Sequence, residues 1–271
     1  MMKFILLSFV LVTNLFAHEA LTTNDHADVV KKATELSARY GAGRVLVVFD
    51  IDNTLMKARQ PLGSDQWFEW QADAIAKATP EAAFKTFDEL LDAQANFYQL
   101  SKMDLTQSDL PQLVASIKAQ GNSIFLLTSR GPGLRSVTER ELKRNGLAFG
   151  DKTIMRGIPE EIVEAPFKQP VSFMNGIFMT SGHHKGEALA YLVKKSGKSF
   201  DAIVFADDLE KHTKRVGETF AASSQPEVVT FRYGKVDPEV ANFRSSSKES
   251  INTQTKAIVN TVNTVFGSKK K

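Results

Sequence analysis

The chain has 271 residues, in which 34 Lys and Arg stand against 31 Asp and Glu, and it contains no cysteine. The lack of cysteine excludes a disulfide framework and a lipid-attachment cysteine, so the fold must be held by its hydrophobic core. The formal charge is +3, and the terminal Lys269-Lys270-Lys271 alone accounts for that excess. The composition therefore gives little support for a nucleic-acid partner or a basic membrane surface, and it leaves the oligomeric state open.

The N-terminus predicts a cleaved secretory signal peptide over residues 1–17. Lys3 precedes a mainly apolar stretch from Phe4 to Val12, after which the chain turns polar with small residues. Nine residues are too few to cross a bilayer, which needs about twenty, so no stable membrane anchor is expected. Cleavage after Ala17 is favoured over cleavage after Ala20, and the alternative is a buried hydrophobic helix. We expect a periplasmic or secreted protein whose remaining residues, about 250, form one large α/β domain with an insertion.

The first chemical motif follows a buried strand. Helical spacing over residues 27–40 leads to the apolar run Val45 to Phe49, and Asp50 and Asp52 come directly after it. An apolar run without alternation is typical of a parallel sheet covered on both faces, and such sheets bind ligands beyond the carboxyl ends of their strands. One carboxylate could attack phosphorus and the other handle the proton of the leaving group. The same pattern also occurs in calcium loops and in plain strand-end turns.

Residues 56–106 are predicted to be a small, mainly helical cap inserted after the first motif. Apolar residues recur at helical spacing over 66–78 and 81–100, whereas 109–119 belongs to the next crossover. The core would then comprise 21–55 and 107–271. A cap at this place can close over the nucleophile and select the substrate. Trp67, Phe68 and Trp70 begin the cap and could stack on an aromatic or nucleoside leaving group, but packing of the cap on the core is favoured for all three. Trp70 is the first candidate for an exception.

Three further candidate positions follow along the chain. The apolar run 124–128 ends in Thr128, followed by Ser129 and Arg130; Lys185 begins a helical segment; and the run 202–206 ends in Asp207-Asp208. Each has a plain structural alternative: a helix cap for Thr128, a salt bridge for Arg130, a solvated helix residue for Lys185 and a turn for the two acids. His183 and His184 are interpreted as exposed loop residues, because adjacent side chains point in different directions.

The other predicted elements are helices over 132–145, 187–195, 210–222 and 247–266, the last packing back on the domain, and strands over 173–179 and 228–231.

Taken in order, Asp-x-Asp-x-Thr at 50–54, Thr128, Lys185 and Asp207-Asp208 resemble the four signature motifs of the haloacid dehalogenase superfamily of phosphohydrolases. The resemblance covers about residues 44 to 233. The stretches 62–68, 175–182 with 185–187, and 203–208 are also similar to a bacterial subfamily known only as a domain of unknown function, and more distantly to secreted acid phosphatases. The implied fold is α/β, with a Rossmann-like, doubly wound parallel sheet.

The resemblance also implies a role for each residue. Asp50 would be the nucleophile that becomes phosphorylated, and Asp52 the general acid. Thr128, with Ser129 and Arg130 beside it, would bind the phosphoryl group, and Lys185 would neutralise charge around the nucleophile. The Mg²⁺ ligands would be Asp50, the backbone carbonyl of Asp52, Asp207 and Asp208. The two last acids are adjacent here, in contrast to the wider spacing of many relatives, so the sequence leaves open which of them contacts the metal.

The function that the resemblance implies is Mg²⁺-dependent hydrolysis of a small phosphate monoester. A carboxylate nucleophile and a phosphate repel each other, so a divalent cation and a lysine suit the reaction. A phosphotransferase would use the same residues, and a non-catalytic periplasmic binding or scaffold protein would keep the fold alone. The sequence does not identify the substrate.

Overall fold

The computed structural model describes residues 18–155, 157–162, 164–221 and 226–266, so the predicted signal peptide lies outside the described residues. Ten strands are found in this part of the chain: β1 Glu19–Thr23, β2 Val45–Phe49, β3 Met56–Ala58, β4 Met103–Leu105, β5 Ser123–Thr128, β6 Gly157–Ile162, β7 Val171–Met174, β8 Ile177–Met179, β9 Ala202–Asp207 and β10 Glu227–Tyr233. The helices are α1 His26–Tyr40, α2 Asp65–Ala76, α3 Phe87–Leu100, α4 Leu110–Ala119, α5 Arg135–Arg144, α6 Lys185–Ser196, α7 Glu210–Ala221, α8 Asp237–Ser245 and α9 Glu249–Phe266.

A mostly parallel sheet of eight strands forms the centre of the molecule. Its order is β1-β10-β9-β2-β5-β8-β7-β6. The strands from β1 to β8 in this order are parallel neighbours, and β7 and β6 are added antiparallel at one edge. This arrangement confirms a mixed α/β architecture, and with helices on both faces it is consistent with a Rossmann-like fold.

Strand β2 shows why this part of the sequence is continuously apolar. Val45, Val47 and Phe49 contribute to the core on one face of the sheet, which α1, α4 and α5 cover. The alternate residues Leu46 and Val48 contribute to the core on the other face, which α6 and α7 cover. Because side chains alternate along a strand, a strand buried on both faces needs apolar residues at every position.

The region 173–179 differs from the prediction of a single strand. It is a hairpin in which β7 and β8 pair antiparallel around Asn175 and Gly176. Both turn residues have positive φ angles, 52° and 72°, and an Asn-Gly pair is the sequence that favours such a tight turn between strands. A side chain at Gly176 would also collide with the backbone of Phe149. The prediction of one strand was wrong, because apolar residues lie on both sides of the Asn175-Gly176 turn and resemble one continuous run.

The segment between β2 and α4 carries β3, α2, α3 and β4, with β3 and β4 paired antiparallel as a separate two-stranded sheet. Helix α3 begins at Phe87 and not at residue 81 as expected, because the side chain of Thr86 caps its N-terminus. The hydrophobic cluster of this segment contains Trp67, Leu90 and Phe97, and it also takes in Phe243 of α8 and apolar residues of α9. The C-terminal helices thus pack on the 56–106 segment.

No helix among the described residues is long and apolar enough to cross a membrane.

Candidate active site

Four of the predicted residues meet at the carboxyl ends of β2 and β9. Asp50 directly follows β2, and its backbone amide donates to the carbonyl of Ala206 in the neighbouring strand at 2.9 Å. Asp207 ends β9 and Asp208 follows it. Carboxylate oxygens of Asp50, Asp207 and Asp208 all lie within 4.8 Å of one another, and all three residues are buried. Hard oxygen donors at this spacing fit a divalent cation such as Mg²⁺.

Lys185 provides the positive charge of this cluster. Its Nζ donates to Oδ1 of Asp50 and to Oδ2 of Asp207, both at 2.6 Å, and its side chain is only 1% exposed. The residue is the first of α6, whose N-terminus is capped by the side chain of His184. A side chain at the next position, Gly186, would collide with Thr219 of α7, so the glycine allows α6 to approach closely enough to bury the lysine.

Burial and mutual repulsion raise the pKa of two of the acids. Burial is the larger cause for Asp50; Lys185 opposes it, Asp207 and Asp52 add to it, and the result is a pKa of about 7. Burial, followed by repulsion from Asp207, raises the pKa of Asp208 to about 10. For Lys185 burial acts in the opposite direction, but Asp207 and Asp50 outweigh it and the pKa lies above the usual range. Three buried acids thus share one ammonium group. Ionisation of all three needs further positive charge, which a bound divalent cation would supply.

Thr54 connects the two acidic segments. Its Oγ1 accepts a hydrogen bond from the backbone amide of Asp208 at 2.9 Å and lies 3.5 Å from Oδ2 of Asp50. The turn after β2 that carries Thr54 is tight, because Asn53 has a φ of 53° and its amide donates to the carbonyl of Met56. This turn brings the loop after β2 against the loop after β9.

The side chain of Asp52 lies beside this cluster but has other partners. Arg130 donates to both of its carboxylate oxygens, with Nε–Oδ2 at 2.8 Å and Nη2–Oδ1 at 2.7 Å. Tyr98 of α3 donates to Oδ1 at 3.0 Å, and the guanidinium of Arg130 lies over the Tyr98 ring at 4.2 Å. Arg130 therefore forms a buried ion pair, the structural alternative that the sequence left open, and its assignment to substrate binding stays a prediction.

Thr128 ends the neighbouring strand β5, and Ser129 follows it. Thr128 is buried, its Oγ1 accepts from the amide of Arg130 at 3.1 Å, and its carbonyl accepts from Thr180. Ser129 is exposed, and its carbonyl accepts from the amide of Gly182. Both residues lie at the expected edge of the sheet, and their contact with a phosphoryl group remains a prediction.

The two histidines before α6 have structural contacts. Nε2 of His183 accepts from the backbone amides of Lys168 and Gln169. His184 caps α6 by accepting from the amide of Glu187 at 3.3 Å. Neither belongs to the group of metal-ligating side chains found in the described residues.

Two residues near the site were not selected from the sequence. Tyr98 is one, and the other is Asp65 at the start of α2, whose pKa is raised well above its usual value by burial and then by the proximity of Asp52. The available signal for Asp65 was its position after Ser64, which caps α2 by accepting from the amide of Trp67. That pattern marks a helix start, but nothing in it indicates that the helix begins beside Asp52.

The fold and site define an α/β protein with a Rossmann-like sheet and a buried acidic cluster at the carboxyl ends of its parallel strands. Residues 22–264 match the family described as "Protein of unknown function (DUF2608)". The chain therefore belongs to that family, in agreement with the predicted similarity to a domain of unknown function.

One relative from Chlamydia trachomatis, strain UW-3/Cx of serovar D, is 19% identical over 243 residues, which are 88% of each chain, and is named "Putative outer membrane protein". No solved structure matches the chain.

Proposed function

We propose that this protein is a Mg²⁺-dependent phosphatase of the haloacid dehalogenase type that hydrolyses a phosphate monoester through a phosphorylated Asp50. The observation that carries the proposal is the buried cluster of Asp50, Lys185, Asp207 and Asp208 at the carboxyl ends of two parallel strands. A purely structural role does not explain this arrangement, because burying three carboxylates beside one lysine costs free energy unless a cation is bound there.

The proposed reaction begins with attack of a carboxylate oxygen of Asp50 on phosphorus. The bond between phosphorus and the ester oxygen breaks, that oxygen keeps the bonding electrons, and it takes a proton from Asp52. Water then attacks phosphorus and gives a proton to Asp52. The bond between phosphorus and the Asp50 oxygen breaks, that oxygen keeps the bonding electrons, and phosphate leaves a free carboxylate. Mg²⁺, when bound, would lower the repulsion between the acids and the phosphate.

Lys185 has the other electrostatic role in this proposal. Its ammonium group contacts the nucleophile and Asp207, so it favours the ionised form of Asp50 and attracts the phosphoryl oxygens. Asp52 must release an oxygen from Arg130 before it can donate a proton, since both of its oxygens accept hydrogen bonds in the described arrangement.

We also propose a location in the bacterial cell envelope or outside the cell. The support is the signal-peptide pattern in the sequence and the name of the chlamydial relative, which describes an outer membrane protein. Ala20 lies within β1 and pairs with Thr230, so cleavage after Ala17 would keep β1 whole, whereas cleavage after Ala20 would shorten it.

The test is hydrolysis of phenyl phosphate by the purified protein with Mg²⁺ and with excess chelator. We expect turnover that requires the metal, no turnover by Asp50→Asn, and a loss of about two to four orders of magnitude in Asp52→Asn, the usual range for general acid–base catalysis. Asp201→Asn is a matched control, because Asp201 precedes the other end of β9 and pairs with Arg44; it should keep its activity.

Trapping with beryllium fluoride separates the two aspartates. The mimic should bind Asp52→Asn and fail to bind Asp50→Asn, and the reverse result would exchange their roles. Undiminished turnover in chelator would refute the metal requirement. Absence of hydrolysis with every divalent metal would favour the non-catalytic alternative, and phosphate transfer to an added alcohol would favour the phosphotransferase.

A further inference from the structure

A cleft leads away from the acidic cluster along helix α2. Its inner part is a cavity of about 780 Å³ lined by Asp208, Asp65 and residues of α8. Its outer part is a cavity of about 710 Å³ lined by Trp70 and Phe243. Gln66, Glu69 and Arg244 line both cavities, so the two adjoin each other, and together we call them the α2 cleft.

The walls of the α2 cleft come from two distant parts of the sequence. Helix α2 forms one wall, and α8 with the start of α9 forms the other. The walls are joined by an ion pair between Arg244 and Glu69, with the nitrogen and oxygen 3.3 Å apart. This pair offers both donors and acceptors at the middle of the cleft, where a hydroxyl-bearing ligand could form hydrogen bonds.

The outer end of the cleft is aromatic. The Trp70 ring meets that of Phe243 edge to face, with centroids 6.2 Å apart. Trp70 is partly exposed, in contrast to Trp67 on the same helix, which is fully buried and hydrogen bonded to Thr255. An aromatic side chain that lines a cavity and keeps exposed surface can contact a second ring.

The dimensions fit a ligand that starts at the acidic cluster. From Asp65, beside the cluster, to Trp70 is five residues of α2, which corresponds to about 7.5 Å along the helix axis. An alcohol whose phosphoryl group is held at Asp50 would therefore need a polar spacer of roughly this length, such as a sugar, to bring an aromatic ring to Trp70. The volume of each part of the cleft is also in the range of small-molecule sites, roughly 300 to 1,000 Å³.

We propose that the α2 cleft binds the alcohol portion of the substrate, with an aromatic ring against Trp70 and a hydroxyl-bearing spacer at the Glu69–Arg244 pair. The substrate class is then a phosphate monoester of an alcohol that carries an aromatic ring. This inference rests on the proposed function for the position of the phosphoryl group. It makes α8 and α9 part of the substrate site, together with the 56–106 segment.

The test compares two probes that differ only by the ring, adenosine 5′-monophosphate and ribose 5-phosphate. We expect the wild-type protein to have a higher kcat/KM for the nucleotide, and Trp70→Leu to reduce the ratio of the two efficiencies by about tenfold, within the range measured for stacking of a base on an aromatic side chain. Trp70→Phe should restore most of the ratio. Phe87→Ala is the matched control, because Phe87 is 48% exposed on α3 and does not line the cleft; it should leave the ratio unchanged.

Binding to Asp50→Asn, measured by calorimetry with the same probes, distinguishes this inference from the proposed function. Tighter binding of the nucleotide that depends on Trp70 supports the α2 cleft, even if the wild-type protein hydrolyses nothing. Equal efficiency or equal binding of both probes in the wild-type protein would overturn the inference, and so would a ratio that Trp70→Leu leaves unchanged. Melting temperatures of each variant identify any loss of fold, and Trp70→Phe, which keeps a ring in the core contact with Phe243, then decides the outcome.

Discussion

At the scale of single residues, the candidate site depends on a buried lysine held between two acids. Nζ of Lys185 lies 2.6 Å from oxygens of both Asp50 and Asp207. A solvated lysine on a helix contributes little to stability or to a site. Removal of a buried lysine leaves the carboxylates that it neutralised without a compensating charge. In the proposed reaction, the same contacts would favour the ionised form of Asp50 and attract a phosphate.

Replacing Lys185 by methionine tests this interpretation. We expect kcat/KM for phenyl phosphate to fall by at least about 100-fold, since an electrostatic donor of this kind is worth several kcal/mol in the transition state. Lys194→Met is the matched control, because Lys194 lies exposed in the last turn of the same helix, and it should be nearly neutral. A Lys185→Met protein that keeps more than about a tenth of the wild-type efficiency would contradict the assigned role.

At the scale of elements, helix α9 belongs to the hydrophobic core of the 56–106 segment. Trp67 is fully buried in that core, and its Nε1 donates to Oγ1 of Thr255 in α9 at 3.3 Å. The indole ring also contacts Phe84 and Phe97 edge to face. Because a buried indole N–H needs an acceptor, the C-terminal helix completes the polar as well as the apolar contacts of this cluster.

Thr255→Val should therefore destabilise the protein more than the same change elsewhere on α9. Valine has a similar shape but leaves the indole N–H without its acceptor, at a cost of about 1 to 3 kcal/mol. Thr261→Val is a close control. Like Thr255, Thr261 donates its hydroxyl to a carbonyl one turn earlier in α9, but Thr261 is exposed. Chemical denaturation of both variants measures the difference. Equal free energies of unfolding would show that the bond to Trp67 contributes nothing.

At the scale of the whole molecule, His26 joins the sheet to the loop that carries the first acids. Its ring stacks on Tyr233 of β10 with centroids 3.9 Å apart, and its Nε2 lies 3.0 Å from the carbonyl of Thr54. Burial lowers the pKa of His26 to about 4 from the ordinary value of 6.5. The folded protein thus keeps this ring neutral at pH values at which an unfolded chain would protonate it.

This difference predicts how stability depends on pH. A base whose folded pKa is depressed contributes full stability above its unfolded pKa, and that contribution is lost as the pH falls from about 6.5 to about 4, by up to about 3 kcal/mol. Asp50 acts in the opposite direction: because its folded pKa is raised to about 7, its contribution is present at low pH and is lost as the pH rises through 4 to 7. The comparison of wild type with His26→Gln isolates the histidine, since Asp50 is common to both.

We expect His26→Gln to have a lower free energy of unfolding than wild type at pH 7, and we expect this difference to be smaller at pH 4.5. Denaturant unfolding at the two pH values, in the presence of chelator, measures it. Ile117→Val, a conservative change at a buried core residue of α4, should lower stability equally at both pH values. A gap for His26→Gln that stays constant with pH would refute the depressed pKa.

The sequence by itself determined the central architecture and the positions of the candidate site residues. Buried parallel strands must be apolar at every position, so β2, β5 and β9 were visible as apolar runs. Asp50 directly follows the first run, and Thr128 and Asp207 end the other two strands. Because the carboxyl ends of parallel strands lie at one edge, their polar end residues could be expected to meet there. Lys185 was identified by a family resemblance, and the structure places it between two of these acids.

Only the tertiary structure decided which partners those residues have. The bond from Tyr98 to Asp52 joins residues 46 positions apart, and the bond from Trp67 to Thr255 joins residues 188 positions apart. Helical periodicity shows that α3 and α9 each have an apolar face, but it carries no information about which other helix covers that face. The position of the C-terminal helices on the 56–106 segment, and with it the α2 cleft, follows from packing between elements that the sequence keeps far apart.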